Sequence, residues 1–114
     1  MQRRFRLKHS SDFVRLRAEG RTWRHPLMTL AIVPNTLADN RFGFIVSRHI
    51  GGAVTRNRTK RLMREAVRQK TPRLKTGFDV AFIARNEIVS QPYSAISAAI
   101  EELFGRAKMW REGL

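Results

Sequence analysis

Sixteen residues, Ala53 to Arg68, constrain this chain more than any other stretch. They run Ala-Val-Thr-Arg-Asn-Arg-Thr-Lys-Arg-Leu-Met-Arg-Glu-Ala-Val-Arg. At about 100° per residue, Leu62, Met63, Ala66 and Val67 share one helical arc roughly 140° wide. Arg56, Lys60, Arg64, Asn57, Arg68 and Arg61 fill a second arc of about the same width beside it. Arg58 lies outside that arc, close to Glu65. Such a helix must bury the first arc against another layer and leave the second open. The open arc is costly. Arg56–Lys60, Lys60–Arg64 and Arg64–Arg68 are like charges at i,i+4, each unfavourable by a few tenths of a kcal/mol. Arg56 and Arg58 also oppose the macrodipole at the helix start. Only Glu65 relieves them. A bound polyanion offsets these costs, and Asn57 adds a donor and an acceptor suited to a base edge or a ribose hydroxyl. Two blander readings are a solvated basic face and a helix lying on a membrane. For the second the apolar arc is short, lacks Trp and Phe, and is needed by the core.

The rest of the chain points to the same partner. Lys and Arg number 23 against 9 Asp and Glu, a formal net charge of +14. Residues 1–75 hold 19 basic and 4 acidic side chains, net +15, and residues 76–114 hold 4 and 5, net −1. Charge serving solubility alone would be spread more evenly. Arg outnumbers Lys 18 to 5, and its planar fork suits phosphates and bases. A GC-rich genome or a hot habitat would also enrich Arg. With 42% hydrophobic residues the chain is too apolar for a disordered basic tail and fits a single domain over 1–114. The absence of cysteine excludes disulfides, thiolate metal sites and cysteine nucleophiles. The basic start lacks a following apolar stretch, since Ser10, Ser11, Asp12, Arg15 and Arg17 interrupt it. No stretch approaches the roughly 18 apolar residues of a membrane span. A soluble, cytoplasmic protein is expected.

Ser10-Ser11-Asp12 predicts a helix N-cap, with Asp12 as a cap residue, and Gly20 predicts the helix end. Phe13, Leu16 and Val14 supply its apolar stripe, and Phe13 and Arg17 share a face. Leu27–Val33 reads as a buried strand, with Thr22–Arg24 extending it at the front. Arg41–Ser47 reads as the next strand, and the short loop between them predicts an antiparallel hairpin. The long helix follows Gly51-Gly52 and stops before Pro72. Gly77–Arg85 is a third strand. Ser94 is expected to cap a last helix with a core stripe of Ile96, Ile100, Leu103 and Phe104. Arg106–Leu114 is expected to fray, leaving Trp110 without a role. The order α-β-β-α-β-α predicts an α+β sandwich with a sheet face open to a ligand.

Other constellations carry less. Phe13, Phe42, Phe44 and Trp23 suggest a stacking platform for single-stranded RNA, although aromatics on small sheets more often build the core, as expected for Phe44. His9, His25 and His49 show no ligand spacing and read as surface residues. Asp12, Asp39 and Asp79 are far apart, and no acidic pair suggests a two-metal site. The serines have no partner base. Gly51-Gly52 lacks the Walker pattern and reads as a turn bringing Arg48 near Arg56. No protein-borne catalytic or metal site is expected.

Arg41-Phe42-Gly43-Phe44-Ile45-Val46-Ser47-Arg48-His49-Ile50-Gly51, followed by Ala53 to Glu65 with its Arg-Asn-Arg core at Arg56, Asn57 and Arg58, resembles the signature of the bacterial ribonuclease P protein subunit. Arg6-Leu7-Lys8 with Asp12-Phe13 resembles that family's opening helix, and Asp79-Val80 through Ile83-Ala84-Arg85 its last strand. Matching segments run from about Arg3 to Phe104. The resemblance implies a two-layer α/β sandwich with a small mixed sheet and a left-handed crossover, like domain 2 of ribosomal protein S5. It implies a ribonucleoprotein in which the RNA subunit, using magnesium, hydrolyses the phosphodiester joining a precursor tRNA to its 5′ leader. It places Arg48, Arg56, Asn57, Arg58, Lys60, Arg61, Arg64 and Arg68 on the RNA. It places Phe13, Arg17, Thr29 and Ala31 at a leader cleft between the sheet and the first helix. Arg17 stands where many members carry an aromatic, and Ala31 near a frequent Tyr, which shifts the cleft from stacking toward electrostatic contact. Two rivals stay open on the residues alone: a general or ribosomal RNA-binding protein, and a self-sufficient metal nuclease, whose carboxylate cluster the sequence does not supply.

Overall fold

The computed structural model describes residues 2–112. The chain runs α1 (Ser10–Glu19), β1 (Arg21–Arg24), β2 (Met28–Pro34), β3 (Arg41–Ile45), α2 (Ala53–Lys70), β4 (Phe78–Ala84) and α3 (Tyr93–Arg106). Single 3-10 turns lie at Arg3–Phe5, Arg48–Ile50, Thr71–Arg73 and Asn86–Ile88. The expected α+β fold with a mixed sheet is present. The sheet has one strand more than expected, in the order β1-β2-β4-β3. Thr22–Arg24 do not extend β2. They fold back as β1, antiparallel to it, with Trp23 opposite Leu30 and Arg24 opposite Thr29.

The expected β2–β3 hairpin does not form. β4 lies between the two, antiparallel to β2 and parallel to β3. Both runs, Met28–Pro34 and Phe78–Ala84, are largely buried on both faces. They gain most by occupying the two central places, and the more polar strands take the edges. The loop from β2 to β3 passes across the start of β4, a distance of two strand spacings, roughly 10 Å. Asparagines fix this crossing. The Asn35 N–H donates to the Gly77 carbonyl at 2.8 Å. The Asn40 amide donates to the Lys75 carbonyl at 2.7 Å and accepts from the Phe78 N–H at 2.9 Å.

Side-chain alternation gives the sheet two unequal faces. Met28, Leu30, Ile32, Val80, Phe82 and Ala84 meet α2 and α3 in the larger core, where Ile96, Ile100, Leu103 and Phe104 are all buried. Phe82 stacks on Phe44 and meets Phe104 edge-on. Leu7, Leu16, Ala31, Val33 and Ala81 form the smaller core under α1, with Phe13 and Ile83 at its margin. Val14 is not part of the α1 stripe and stands exposed. The reversal from α1 into β1 needs Gly20, because a Cβ there would fall 2.3 Å from the Leu16 carbonyl oxygen.

A buried charge lies on the α1 side of the sheet, where Asp79 is paired with Val33 and Arg41. Asp79 is fully buried and accepts hydrogen bonds from Arg41 (2.7 and 2.9 Å), Arg15 (2.5 Å) and Asn35 (3.0 Å). Asp12 is therefore not the cap expected of it. It faces Arg41 at 3.3 Å, while His9 holds the N-cap position of α1 without a side-chain bond. Likewise α3 begins after Pro92, not at Ser94. His25 is not a plain surface residue, since its Nδ1 accepts the Leu27 N–H at 3.0 Å.

The segment expected to fray after Gly105 is docked as far as it is described. Met109 is buried, and its carbonyl accepts the Lys75 N–H at 2.8 Å. Trp110 bridges Leu74, meets Phe104 edge-on at 5.7 Å and lies under the Arg73 guanidinium at 4.6 Å. The apolar end of α3 leaves a gap that Met109 and Trp110 fill. Leu114, the end of that expectation, lies outside the described residues.

Two outcomes follow. Asp79→Asn leaves Arg15 and Arg41 without their buried partner and lowers stability at pH 7 by about 3–5 kcal/mol, read by urea unfolding. Burial works to raise the Asp79 carboxyl, but hydrogen bonds from Arg41, Asn35 and Arg15 outweigh it and hold the group below its ordinary value. Its stabilisation is complete above the unfolded carboxylate pKa, about 4, and is lost as pH falls through the lower folded value. The gap between wild type and Asp79→Asn therefore closes in strong acid, and a gap constant with pH would refute the ionic origin. Separately, Trp110→Ala costs about 2–3 kcal/mol, whereas a frayed tail would cost nothing measurable.

Candidate nucleic-acid interface

α2 opens at Ala53, with Gly52 at the N-cap, and its core side is as the periodicity predicts. Met63, Ala66 and Val67 are fully buried, and Leu62 packs at the edge. Two polar residues extend that side. Thr59 is buried and donates to the Thr55 carbonyl at 2.9 Å, one turn back. Lys70 is buried and reaches the Ala66 carbonyl at 3.3 Å and Ser97 Oγ on α3 at 2.5 Å. Burial pushes the Lys70 ammonium below its ordinary pKa. Neither is recognisable by hydrophobicity, although 59, 63, 66, 67 and 70 share one helical face.

The opposite side is cationic and uncompensated. Asn57, Arg58 and Arg61 are exposed, and Arg56, Lys60 and Arg64 are half-buried along the flank of the helix. Arg48 is exposed in the 3-10 turn that leads into α2. Among the described residues none of these cations lies within salt-bridge distance of a carboxylate. Arg68 differs. It grips Glu65 through two bonds of 2.6 and 2.9 Å, so the partner of Glu65 is Arg68 and not Arg58. Arg64 lies over the Phe44 ring, 5.8 Å from its centre. Burial, and then the nearby charge of Arg6, push Arg64 below the ordinary guanidinium pKa. The Nε atoms of Arg56 and Arg64 are buried without a partner among the described residues.

The four cleft residues lie on the other face of the sheet. One side of the Phe13 ring rests on Gly43 of β3, where a Cβ would come within 2.7 Å of the ring. Glycine at that position lets α1 approach the sheet. Phe13 and Thr29 are half-buried, and Arg17 is exposed. Ala31 is 5% exposed beneath α1 and offers almost nothing to a ligand. A residue missed from the sequence joins this face: Arg24 pairs with Thr29 and is exposed beside it. It escaped notice because β1 was read as part of β2. The expected aromatic platform is not assembled. Phe42, Phe44 and Trp23 belong to the opposite, core-facing side, and Phe13 stands apart from them.

Among the described residues no group of three or more His, Asp or Glu side chains is arranged to hold a metal ion. Asp12 and Asp79 are committed to Arg41. Among the described residues no helix is long and apolar enough to cross a membrane. What the surface presents is fixed positive charge on a rigid helix, beside a half-open cleft with a ring and two further arginines. That arrangement suits an extended polyanion.

Comparison with known proteins agrees. The family model described as Ribonuclease P matches residues 1–108. A ribonuclease P protein component of Chloroflexus aurantiacus is 42% identical over 108 residues, covering 94% of this chain and 80% of that protein. That of Herpetosiphon aurantiacus is 39% identical over 112 residues, covering 98% and 91%. The solved structure of the Staphylococcus aureus RNase P protein superposes with a TM-score of 0.87 at 26% identity, covering 94% of this chain and 98% of that one. The RNase P protein of Thermotoga maritima gives 0.82 at 26% identity, covering 89% and 96%. The chain belongs to the ribonuclease P protein family, whose members are components of a tRNA-processing ribonucleoprotein.

Proposed function

We propose that this chain binds the catalytic RNA of ribonuclease P through α2 and the 5′ leader of precursor tRNA through the α1 cleft, and so promotes endonucleolytic removal of the leader. The observation that carries this reading is the row of cations on α2 that no acidic side chain relieves. Arg56, Arg58, Lys60, Arg61 and Arg64, with Arg48 before them, meet RNA phosphates, and Asn57 meets a base edge or ribose. Phe13 and Thr29 offer the leader a ring and a hydroxyl, with Arg17 and Arg24 toward its phosphates. Arg68, already held by Glu65, contributes less.

Hydrolysis of the phosphodiester belongs in this reading to the RNA subunit and its magnesium. Among the described residues no three His, Asp or Glu side chains are grouped to hold a metal ion. The protein acts by charge. Two RNA segments brought together repel, and magnesium or a cationic protein can offset that repulsion. A helix holding its cations before RNA arrives requires no rearrangement at the moment of binding. The cytoplasm is the compartment that fits this work.

Two measurements test the reading. First, affinity for the RNA subunit should fall steeply between about 50 and 200 mM salt, since each neutralised phosphate releases counterions. Arg61→Ala should reduce the log–log slope by roughly 1, and Arg68→Ala should reduce it less. A flat salt dependence defeats the proposal. Second, the protein should strongly raise leader removal by bacterial ribonuclease P RNA at low magnesium. The Arg56→Ala/Arg61→Ala double variant should lose about tenfold or more of that gain while its circular dichroism is unchanged. Equal affinity for precursor tRNA and leaderless tRNA, with no gain in cleavage, would favour a general RNA-binding role.

A further inference from the structure

A further surface, which adjoins the C-terminal half of α2 and is separate from the α1 cleft, lies along the outer edge of β3. The chain before α1 runs beside that edge. Arg6 bridges Phe42 in parallel register, and the Leu7 N–H donates to the Phe42 carbonyl at 2.8 Å. Arg6 thus shares the α2 side of the sheet with Phe42, and Leu7 turns to the other side to join the small core. Between this segment and the C-terminal half of α2 opens a cavity of about 610 Å³, walled by Phe5, Asp39, Asn40, Phe42, Arg68 and Pro72 among others. That size lies within the range of small-ligand sites, roughly 300–1,000 Å³.

The wall is ring and methylene surface with few free polar groups. Asn40 is spent on Lys75 and Phe78, and Arg68 on Glu65. Asp39 has no ion pair among the described residues. Two cations stand next to residues of the wall without lining it. Arg6 follows Phe5 on the strand side, and Arg64 lies one turn before Arg68 on the helix side. Both have a buried Nε without a partner among the described residues, and neither meets a carboxylate. Arg6 is close enough for its charge to depress the ionisation of Arg64. Two like-charged guanidinium groups near each other are unfavourable in the free protein and favourable around an anion. Arg4 already stacks over Phe5 at 4.6 Å, so a flat ring entering there would join an existing cation–ring pair.

We infer that this cavity takes one unpaired nucleotide of an RNA, its base lying against Phe5 and its phosphate between Arg6 and Arg64. Asp39 is the acceptor for an exocyclic amino group, which adenine, cytosine and guanine carry and uracil lacks. The inference rests on the RNA-binding reading above and extends the RNA contact from α2 around the edge of β3 to the N-terminal segment.

The test is a titration of the full-length, nitrogen-15-labelled protein, followed by amide chemical shifts at fixed ionic strength. The probes are adenosine 5′-monophosphate, ribose 5-phosphate and adenosine. The monophosphate should shift Phe5, Arg6, Leu7, Phe42 and Arg68 and saturate at about tenfold lower concentration than either half-ligand. Arg6→Gln should weaken it by about tenfold, Arg6→Lys should restore part of the loss, and Phe5→Leu should abolish the advantage over ribose 5-phosphate. Dispersed spectra of the variants establish that they are folded. Ribose 5-phosphate binding as tightly as the nucleotide overturns the base pocket. Shifts confined to the N-terminal half of α2 or to the α1 cleft overturn the site while leaving the RNA-binding reading intact. Failure of the cleavage assay with nucleotide binding preserved would overturn that reading and not this site.

Discussion

The buried carboxylate of Asp79 is the constraint on which the arrangement depends. Its four hydrogen bonds come from α1, from the end of β2 and from β3. Those three partners are 64, 44 and 38 residues away in sequence. A hydrophobic core holds layers together but tolerates small slides. A charge in a dry site tolerates none, because losing one partner leaves ions unpaired. The bonds therefore fix β4 between β2 and β3 and set α1 across the sheet at one angle. That angle lays Phe13 on Gly43 and leaves Thr29 half-open beside Arg24. The cleft is a consequence of the clamp.

α2 shows how a small chain uses one element twice. Its inner side supplies Met63, Ala66 and Val67 to the core, and of the cations on its outer side only Arg68 has a carboxylate partner among the described residues. Glu65 and Arg68 neutralise each other near the C-terminal end, leaving the N-terminal and central turns positive. The burial that stabilises the helix also keeps its charged side chains from relaxing away from one another. The stems of Arg56 and Arg64 are pinned in part by packing, and Arg64 by the ring of Phe44. Repulsion held in this way is released when phosphates arrive.

Periodicity made α2 and α3 legible, since their core residues recur every three or four positions and nothing else in the chain interrupts them. The apolar runs of β2 and β4 were legible as strands. Their order was not, because a strand buried on both faces says only that it is central, and gives no sign of its neighbours. β1 was hidden by composition. In Arg21-Thr22-Trp23-Arg24 the alternation carries one apolar residue, and Trp23 alone marks the inward side. The tail was misjudged for a related reason. Arg106 to Arg111 looks polar on average, yet Met109 and Trp110 hold it to Phe104 and to Leu74, and Leu74 is too far away in sequence for a local pattern to join them. The cations of the outer face of α2 were legible one by one, and the pairing of Arg68 was not. Asp79 was invisible as a clamp because its partners are assembled only by the fold.

The same distance between sequence and space applies to the basic N-terminal segment, whose place beside β3 no local pattern marks. Arg4 and Arg6 gain meaning from Phe5 and from Phe42, beside which they lie. Once Arg6 is laid along β3, the positive surface no longer belongs to one helix. It continues from Arg48 through α2 and over the sheet edge to the residues before α1. A flexible basic tail would attract RNA equally well at long range, but would spend that attraction on ordering itself. Cations fixed on a helix, a strand edge and a turn lose less freedom when they meet a polyanion, so more of the electrostatic gain would remain for binding.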